Sequence, residues 1–182
     1  MIRRPFSKLM EKNFILPSTV LLKKHCFDQA GLFDDSLRYV EDKDLWLRIS
    51  MHYPMACVPF PLVKRRIHAY SPKQVEAIKE SIIYVVRKME KDFPDRIVKE
   101  EINTRMILGP LYYSLGRTYF DADKFGKARE AFRLSLRNGL SLNAALFWCV
   151  TLTGARFVNL LRCCKRGLPK PMDVRKVYER NG

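Results

Sequence analysis

Glu41-Asp42-Lys43-Asp44-Leu45-Trp46-Leu47-Arg48-Ile49 is the stretch on which the reading of the chain turns. Leu45, Trp46 and Ile49 recur at helical spacing, so the pattern predicts a helix from Glu41 with Trp46 in the core. Two acidic residues open it, where negative charge meets the positive end of the helix dipole, worth about 0.3–1 kcal/mol each. Pro54 closes it. Asp42 and Asp44 spell D-x-D, but residues two apart on a helix face different ways. Asp44 is therefore expected to pair with a nearby arginine or cap a turn, not to share a metal with Asp42.

Outward from this helix, short apolar runs alternate with turn residues. Thr19-Val20-Leu21-Leu22 is β-branched at its start and apolar throughout, which suits a buried strand. Lys23 to Ala30 reads as a helical turn ended by Gly31. The loop Gly31-Leu32-Phe33-Asp34-Asp35-Ser36 has an aromatic anchor in Phe33. Met55-Ala56-Cys57-Val58 and the run from Leu62 to Ile67 read as two more extended segments, with Cys57 a small buried hydrophobe. The fold class expected for residues 1–70 is thus α/β, and all-α after them.

Three motifs in order, Asn13 to Leu22, then Gly31-Leu32-Phe33-Asp34, then Glu41-Asp42-Lys43-Asp44-Leu45-Trp46-Leu47-Arg48, resemble the acceptor-side half of a bacterial family 2 glycosyltransferase of the GT-A fold. Arg66-Ile67-His68 resembles the R-x-H that follows them. The likeness covers about residues 9 to 70. It implies transfer of a sugar, with inversion, from a nucleotide-diphosphate donor to an acceptor hydroxyl, in the synthesis of envelope polysaccharide or glycolipid. By the same resemblance Asp42 is the catalytic base that takes the hydroxyl proton, and Glu41 its helper. Arg66 is a candidate for the diphosphate, since guanidinium suits phosphate geometry. His68 is a candidate for the diphosphate or for the divalent metal, Mn or Mg, of the complete enzyme.

Each assignment has a plainer counterpart. Glu41 and Asp42 serve equally as solvated acidic caps, and Arg66 and His68 as an ordinary basic loop. The family's nucleotide-binding half, with its acidic loop and its own D-x-D, has no counterpart here. The expectation is that this chain alone binds neither donor nor metal and is inactive: a gene fragment, a truncated piece, or one half of a split enzyme.

From Ser71 the pattern is helical. Ser71-Pro72 is an N-cap followed by proline at the first helical position, and Val75, Ile78, Ile82, Val85 and Met89 carry the helix to about Lys91, short of Pro94. A second start follows at Asp95. Gly109-Pro110 is expected to kink or break the helix through it. Lys124 to Asn138 forms another, with Gly139 beyond its end. Tyr112, Leu115, Gly116, Tyr119, Phe125, Ala128 and Phe132 resemble one tetratricopeptide repeat, with Ser135 and Leu140 departing from its pattern. Its small residues let two antiparallel helices approach. Residues 71–168 then form a helical region, either a docking surface for a protein partner or a plain extension of the fold, and 169–182 a flexible basic tail.

The chain has 182 residues and a formal net charge of +15, from 34 Lys and Arg against 19 Asp and Glu. That balance favours anionic partners without choosing among them. Helix-turn-helix, zinc-spacing and aromatic RNA-binding signatures are lacking, so charge alone is a poor argument for nucleic acid. The five cysteines (Cys26, Cys57, Cys149, Cys163 and Cys164) form no C-x-x-C pair, which fits reduced thiols in the cytoplasm. Leu142 to Leu161 is mostly apolar but interrupted by Asn143, Arg156 and Asn159. It reads as a buried or interfacial helix, and the basic tail as a means of peripheral attachment to the inner face of an anionic membrane. The rival to the enzyme is a non-catalytic, basic helical interaction module whose first segment is a transferase relic.

Overall fold

The N-cap predicted at Ser71 is present, and it closes as a capping box. Ser71 Oγ accepts from the Gln74 amide (3.3 Å), Gln74 Oε1 accepts from the Ser71 amide (2.9 Å), and a 21-residue helix follows. In the computed structural model, which describes residues 2, 4–64, 66, 69–139 and 141–152, it is the fourth of eight α-helices. They are α1 Pro5–Glu11, α2 Cys26–Ala30, α3 Glu41–His52, α4 Pro72–Asp92, α5 Pro94–Lys99, α6 Thr104–Asp121, α7 Phe125–Asn138 and α8 Leu142–Leu152. A 3-10 turn at Pro17–Thr19 completes the regular structure of the described residues.

This corrects the α/β reading of the first seventy residues. No strand occurs among the described residues. Thr19 ends the 3-10 turn and Leu21 is 100% exposed, while Val20 and Leu22 lie half-buried against the core, so this run is not a buried strand. Met55–Val58 and the described part of 62–67 are irregular, and Cys57 is exposed. An apolar, β-branched run becomes a strand only when a neighbour pairs its backbone. Here, among the described residues, a single bond from the Ile2 amide to the Met55 carbonyl (2.8 Å) is the pairing these segments find. Without a sheet there is no GT-A domain.

Two packing groups share one core. In the first, α1 and α2 flank α3, burying Phe6, Leu9 and Met10 against Leu45, Trp46, Leu47 and Ile49. In the second, α4 packs on α6, α6 on α7, and α7 on α8. The α6–α7 pair is antiparallel, because Gly109 lies against Asn138 at one end and Phe120 against Phe125 at the other. Pro110 lies inside α6, which continues through it, so of the kink or break expected at Gly109-Pro110 the break does not occur. The Ser135 hydroxyl donates to the Gly109 carbonyl (2.8 Å), tying the proline-bearing turn to α7.

Gly116 is the close approach in this pair. A Cβ there would lie 2.7 Å from Cδ1 and Cε1 of Phe132. Phe132 is fully buried and stacked on Phe147 of α8 at 5.6 Å, so its ring has nowhere to retreat. Arg117 covers the other face of this aromatic group, with its guanidinium 4.2 Å from the Phe147 centroid. Leu140 lies outside the described residues, as does the chain from 153 on, including Cys163, Cys164 and the tail 169–182.

Gly116→Ala should destabilise the protein by about 1–3 kcal/mol in urea unfolding, the usual cost of overpacking. In the double variant with Phe132→Leu the two losses should fall short of their sum, because the smaller side chain relieves the clash.

Candidate functional site

The first turn of α3 gathers Glu41, Asp42, Lys43 and Asp44, so the geometry there decides what the acidic motif does. The helix begins without a side-chain cap on Val40, whose φ of 63° puts a β-branched residue in the left-handed region. Asp42 steadies this start. Its Oδ1 accepts from the Lys43 amide (2.7 Å), and its Oδ2 accepts from Asn13 Nδ2 (3.0 Å), which holds the chain leaving α1. Glu41 is half-buried beside it.

Asp44 is fully buried, and its neighbours are cations. Arg48 Nε and Nη2 both donate to Oδ2 (2.9 and 2.7 Å), and Lys88 Nζ of α4 lies 2.9 Å from Oδ1. The expected arginine partner is thus one turn along the same helix. Lys88 also donates to Asp34 Oδ2 (2.7 Å). Burial alone would lower the Lys88 pKa, but hydrogen bonds to Asp34 and Asp44 raise it. Bonds from Lys88 and Ser36 hold Asp34 down to about 2. Arg48 in turn donates to the carbonyls of Ala30 and Leu32, the latter at 2.8 Å. Gly31, at φ 72°, turns the chain so that both carbonyls converge on one guanidinium. The G-x-F-D loop is therefore held by Asp34 and its carbonyls, while Phe33, the expected anchor, stands 45% exposed.

Lys43 is the group that the motif did not signal. It is buried, and its Nζ donates to the Met10 carbonyl at the end of α1 (3.0 Å). Burial, opposed by the Asp42 charge, pushes the ammonium down to about 8. Its burial comes from packing against α1, which its acidic neighbours in sequence do not signal.

Two shallow grooves open on the surface, of about 220 and 420 Å³. The first lies between α6 and α7 along Tyr112, Leu115, Tyr119 and Ala131, and the second joins Leu37 to Glu80 and Tyr84 of α4. Neither is lined by Glu41, Asp42 or Arg66. Arg66 is exposed in the irregular stretch between α3 and α4, and His68 lies outside the described residues. Among the described residues no three His, Cys, Asp or Glu side chains gather as a metal site. Also among them, no helix is long and apolar enough to cross a membrane.

Compared with protein-family models, with curated proteins and with solved structures, the chain matches none. The likeness to a family 2 glycosyltransferase is therefore corrected on two grounds. It finds no matching relative, and the sheet it requires is replaced by helices and irregular chain. The residues that carried it have structural work: Asp42 holds Asn13, Asp44 holds Arg48 and Lys88, and Leu45, Trp46 and Ile49 are core. The transferase assignment and its enzyme class are withdrawn with it.

Two outcomes test this account. Asp44→Asn leaves Arg48 and Lys88 short of a buried counter-charge and should cost about 3 kcal/mol in chemical denaturation. Lys43 gives a pH signature. Below pH 8 it is protonated in both folded and unfolded chains, and the fold bears the full cost of burying the charge. Between about 8 and the ordinary 10.5, the unfolded chain binds the proton more tightly, so stability rises with pH. The wild type should gain about 2–3 kcal/mol across that window relative to Lys43→Met, as read from paired denaturation curves.

Proposed function

We propose that this chain is a helical protein-interaction module, whose docking surface lies on the irregular chain that α1 to α3 hold in place. One observation carries the reading. Of the large apolar side chains left exposed among the described residues, nine fall before residue 71 and six after it. Leu21 (100%), Leu32 (73%), Phe60 (68%) and Leu62 (75%) are the extreme cases. Single exposed leucines need no explanation, but nine large apolar side chains left uncovered in the first seventy residues favour a surface that another protein covers. The net charge of +15 favours an acidic partner and speeds its encounter.

The helical half is the supporting platform in this reading. Part of its positive charge is paired in place: Lys124 with Glu76 (2.6 Å), and Arg133 with Glu130 (2.5 Å). The irregular stretches carry Lys12, Lys23, Lys24, Lys64 and Arg66, all exposed, alongside the apolar residues. Binding through such a surface combines apolar burial with charge steering and needs no reacting group.

Affinity purification followed by cross-linking mass spectrometry tests the proposal. One protein should be recovered at fixed stoichiometry, cross-linked to Lys12, Lys23, Lys24 or Lys64. Its recovery should fall at least about tenfold with Leu21→Ser and Phe60→Ser together, since truncating buried anchors costs more than 1.4 kcal/mol. Cross-links confined to α4–α7, or unchanged recovery by the double variant, would refute the placement of the surface.

A further inference from the structure

Helix α8 is apolar on nearly every side. From Leu142 to Leu152 it carries no charged residue, and a helix of that kind is ordinarily covered all round. Here one side is covered and the other is not. Ala144 and Thr151 are buried, while Phe147 stacks on Phe132 of α7 (5.6 Å) and meets Phe120 of α6 edge-on (5.3 Å). On the outer side Leu142 is 91% exposed, Leu146 61% and Leu152 51%, with Cys149 exposed between them. At about 100° per residue these four fall within roughly 120° of the helix, so they form one continuous stripe. Among the described residues, half of the large apolar side chains left exposed after residue 70 lie on this one helix.

The charge around the stripe decides what covers it. From Ala131 to Met172 the sequence holds seven Lys and Arg and no Asp or Glu. Arg137, exposed in the last turn of α7, precedes the stripe, and Arg156, Arg162, Lys165 and Arg166 follow it in sequence. A second copy of the chain fits poorly, since two copies meeting stripe to stripe would bring like charges together. Protein interfaces are anchored by aromatic residues and arginine seated in pockets, and leucine is under-represented among such anchors. Lipid tails, by contrast, accept aliphatic side chains without a matching shape, and anionic headgroups complement the charge. The 11 residues of α8 span roughly 16 Å, about half the hydrocarbon thickness of a bilayer. With its inner side held by α7, the helix can lie along a membrane surface but not cross it.

Going beyond the protein-docking surface described above, and independently of it, we propose that the outer face of α8 seats this protein on an anionic lipid surface. Leu142, Leu146, Cys149 and Leu152 enter the boundary between headgroups and acyl chains. The positive charge of the acid-free segment attracts the headgroup phosphates. Apolar insertion and charge attraction are each weak and reversible alone, and together they hold a protein at the interface.

The test floats the full chain with vesicles of phosphatidylcholine and phosphatidylglycerol, about three to one, and with vesicles of phosphatidylcholine alone. Binding to the mixed vesicles should exceed binding to the neutral ones at least about tenfold, and should fall as salt rises. Leu142→Gln with Leu146→Gln keeps charge and helix propensity, and should weaken binding to the mixed vesicles at least about tenfold with thermal unfolding unchanged. Val98→Gln, at an apolar position 76% exposed on α5, should change binding by less than about twofold. Acyl chains brominated near the headgroups should quench Trp148 of α8 and spare Trp46 in the core, so that Trp148→Phe removes the quenching. That measurement leaves the stripe intact, so it decides the matter even if the leucine variant is unstable. No binding to the mixed vesicles, equal binding to the neutral ones, no quenching of Trp148, or full binding by a stable leucine variant, as attachment by charge alone would show, each overturns the proposal. So does a dimer in sedimentation equilibrium that the leucine variant dissociates, which would assign the stripe to a second copy. Leu21→Ser with Phe60→Ser should leave vesicle binding unchanged, so the two surfaces can fail separately.

Discussion

Lys88 holds the two packing groups of this protein together by standing between two carboxylates, Asp34 and Asp44, that belong to the other group. Everything around α3 follows from that placement. With Asp44 fully buried, a counter-charge is obligatory, and two are provided: Lys88 across the interface and Arg48 on the same helix. Arg48 uses its remaining donors on the carbonyls beside Gly31, and Asp34 uses its second oxygen on Ser36. Four charges balance to zero, and they join α3, α4 and the loop carrying Asp34. Irregular chain that lacks secondary structure of its own is thereby given a fixed course. Hydrophobic contact alone would leave α3 free to slide along α4, whereas this network specifies one arrangement.

Much of the helical half was legible in sequence because its signals are local. The Ser71-Pro72 start, the stop before Pro94, and the small and aromatic residues of α6 and α7 are set by capping, proline geometry and packing between neighbours in the chain. The Glu41 helix was legible for the same reason. What failed were inferences requiring distant partners. Thr19-Val20-Leu21-Leu22 and Met55-Ala56-Cys57-Val58 have strand composition, but composition cannot supply the second strand. At Pro110, where a kink or a break was expected, α6 continues between α4 and α7.

The motif E-D-x-D-L-W-L-R shows how a chemical signature and a packing solution can share one spelling. An acid at the helix start, a second acid one turn before an arginine, and an apolar stripe between them are also what a docked amphipathic helix needs. Asp42 reaches Asn13, and Asp44 reaches Arg48 and Lys88, so both acidic side chains are engaged by the fold. Lys43 escaped notice because its environment comes from α1, thirty-three residues earlier. The exposed apolar residues, by contrast, are visible only once a fold shows which ones it leaves uncovered.

The separation between locally and remotely determined contacts also orders events in time. The helices α6, α7 and α8 follow one another through short links, so their pairing closes small loops and is fast. The Lys88 bridge to Asp34 spans 54 residues, and the bonds of Arg4 to Glu100 span 96. Closing such loops is slow, and their ends come to rest last. A molecule assembled in this order also comes apart in reverse. Any partial opening that lifts α1 to α3 away while the later helices stay folded must break the ion pairs of Asp34 and Asp44 with Lys88, and that of Arg4 with Glu100. The charged network at Asp44 is thus a latch as well as a brace, and its strength sets how often the first third of the chain is released.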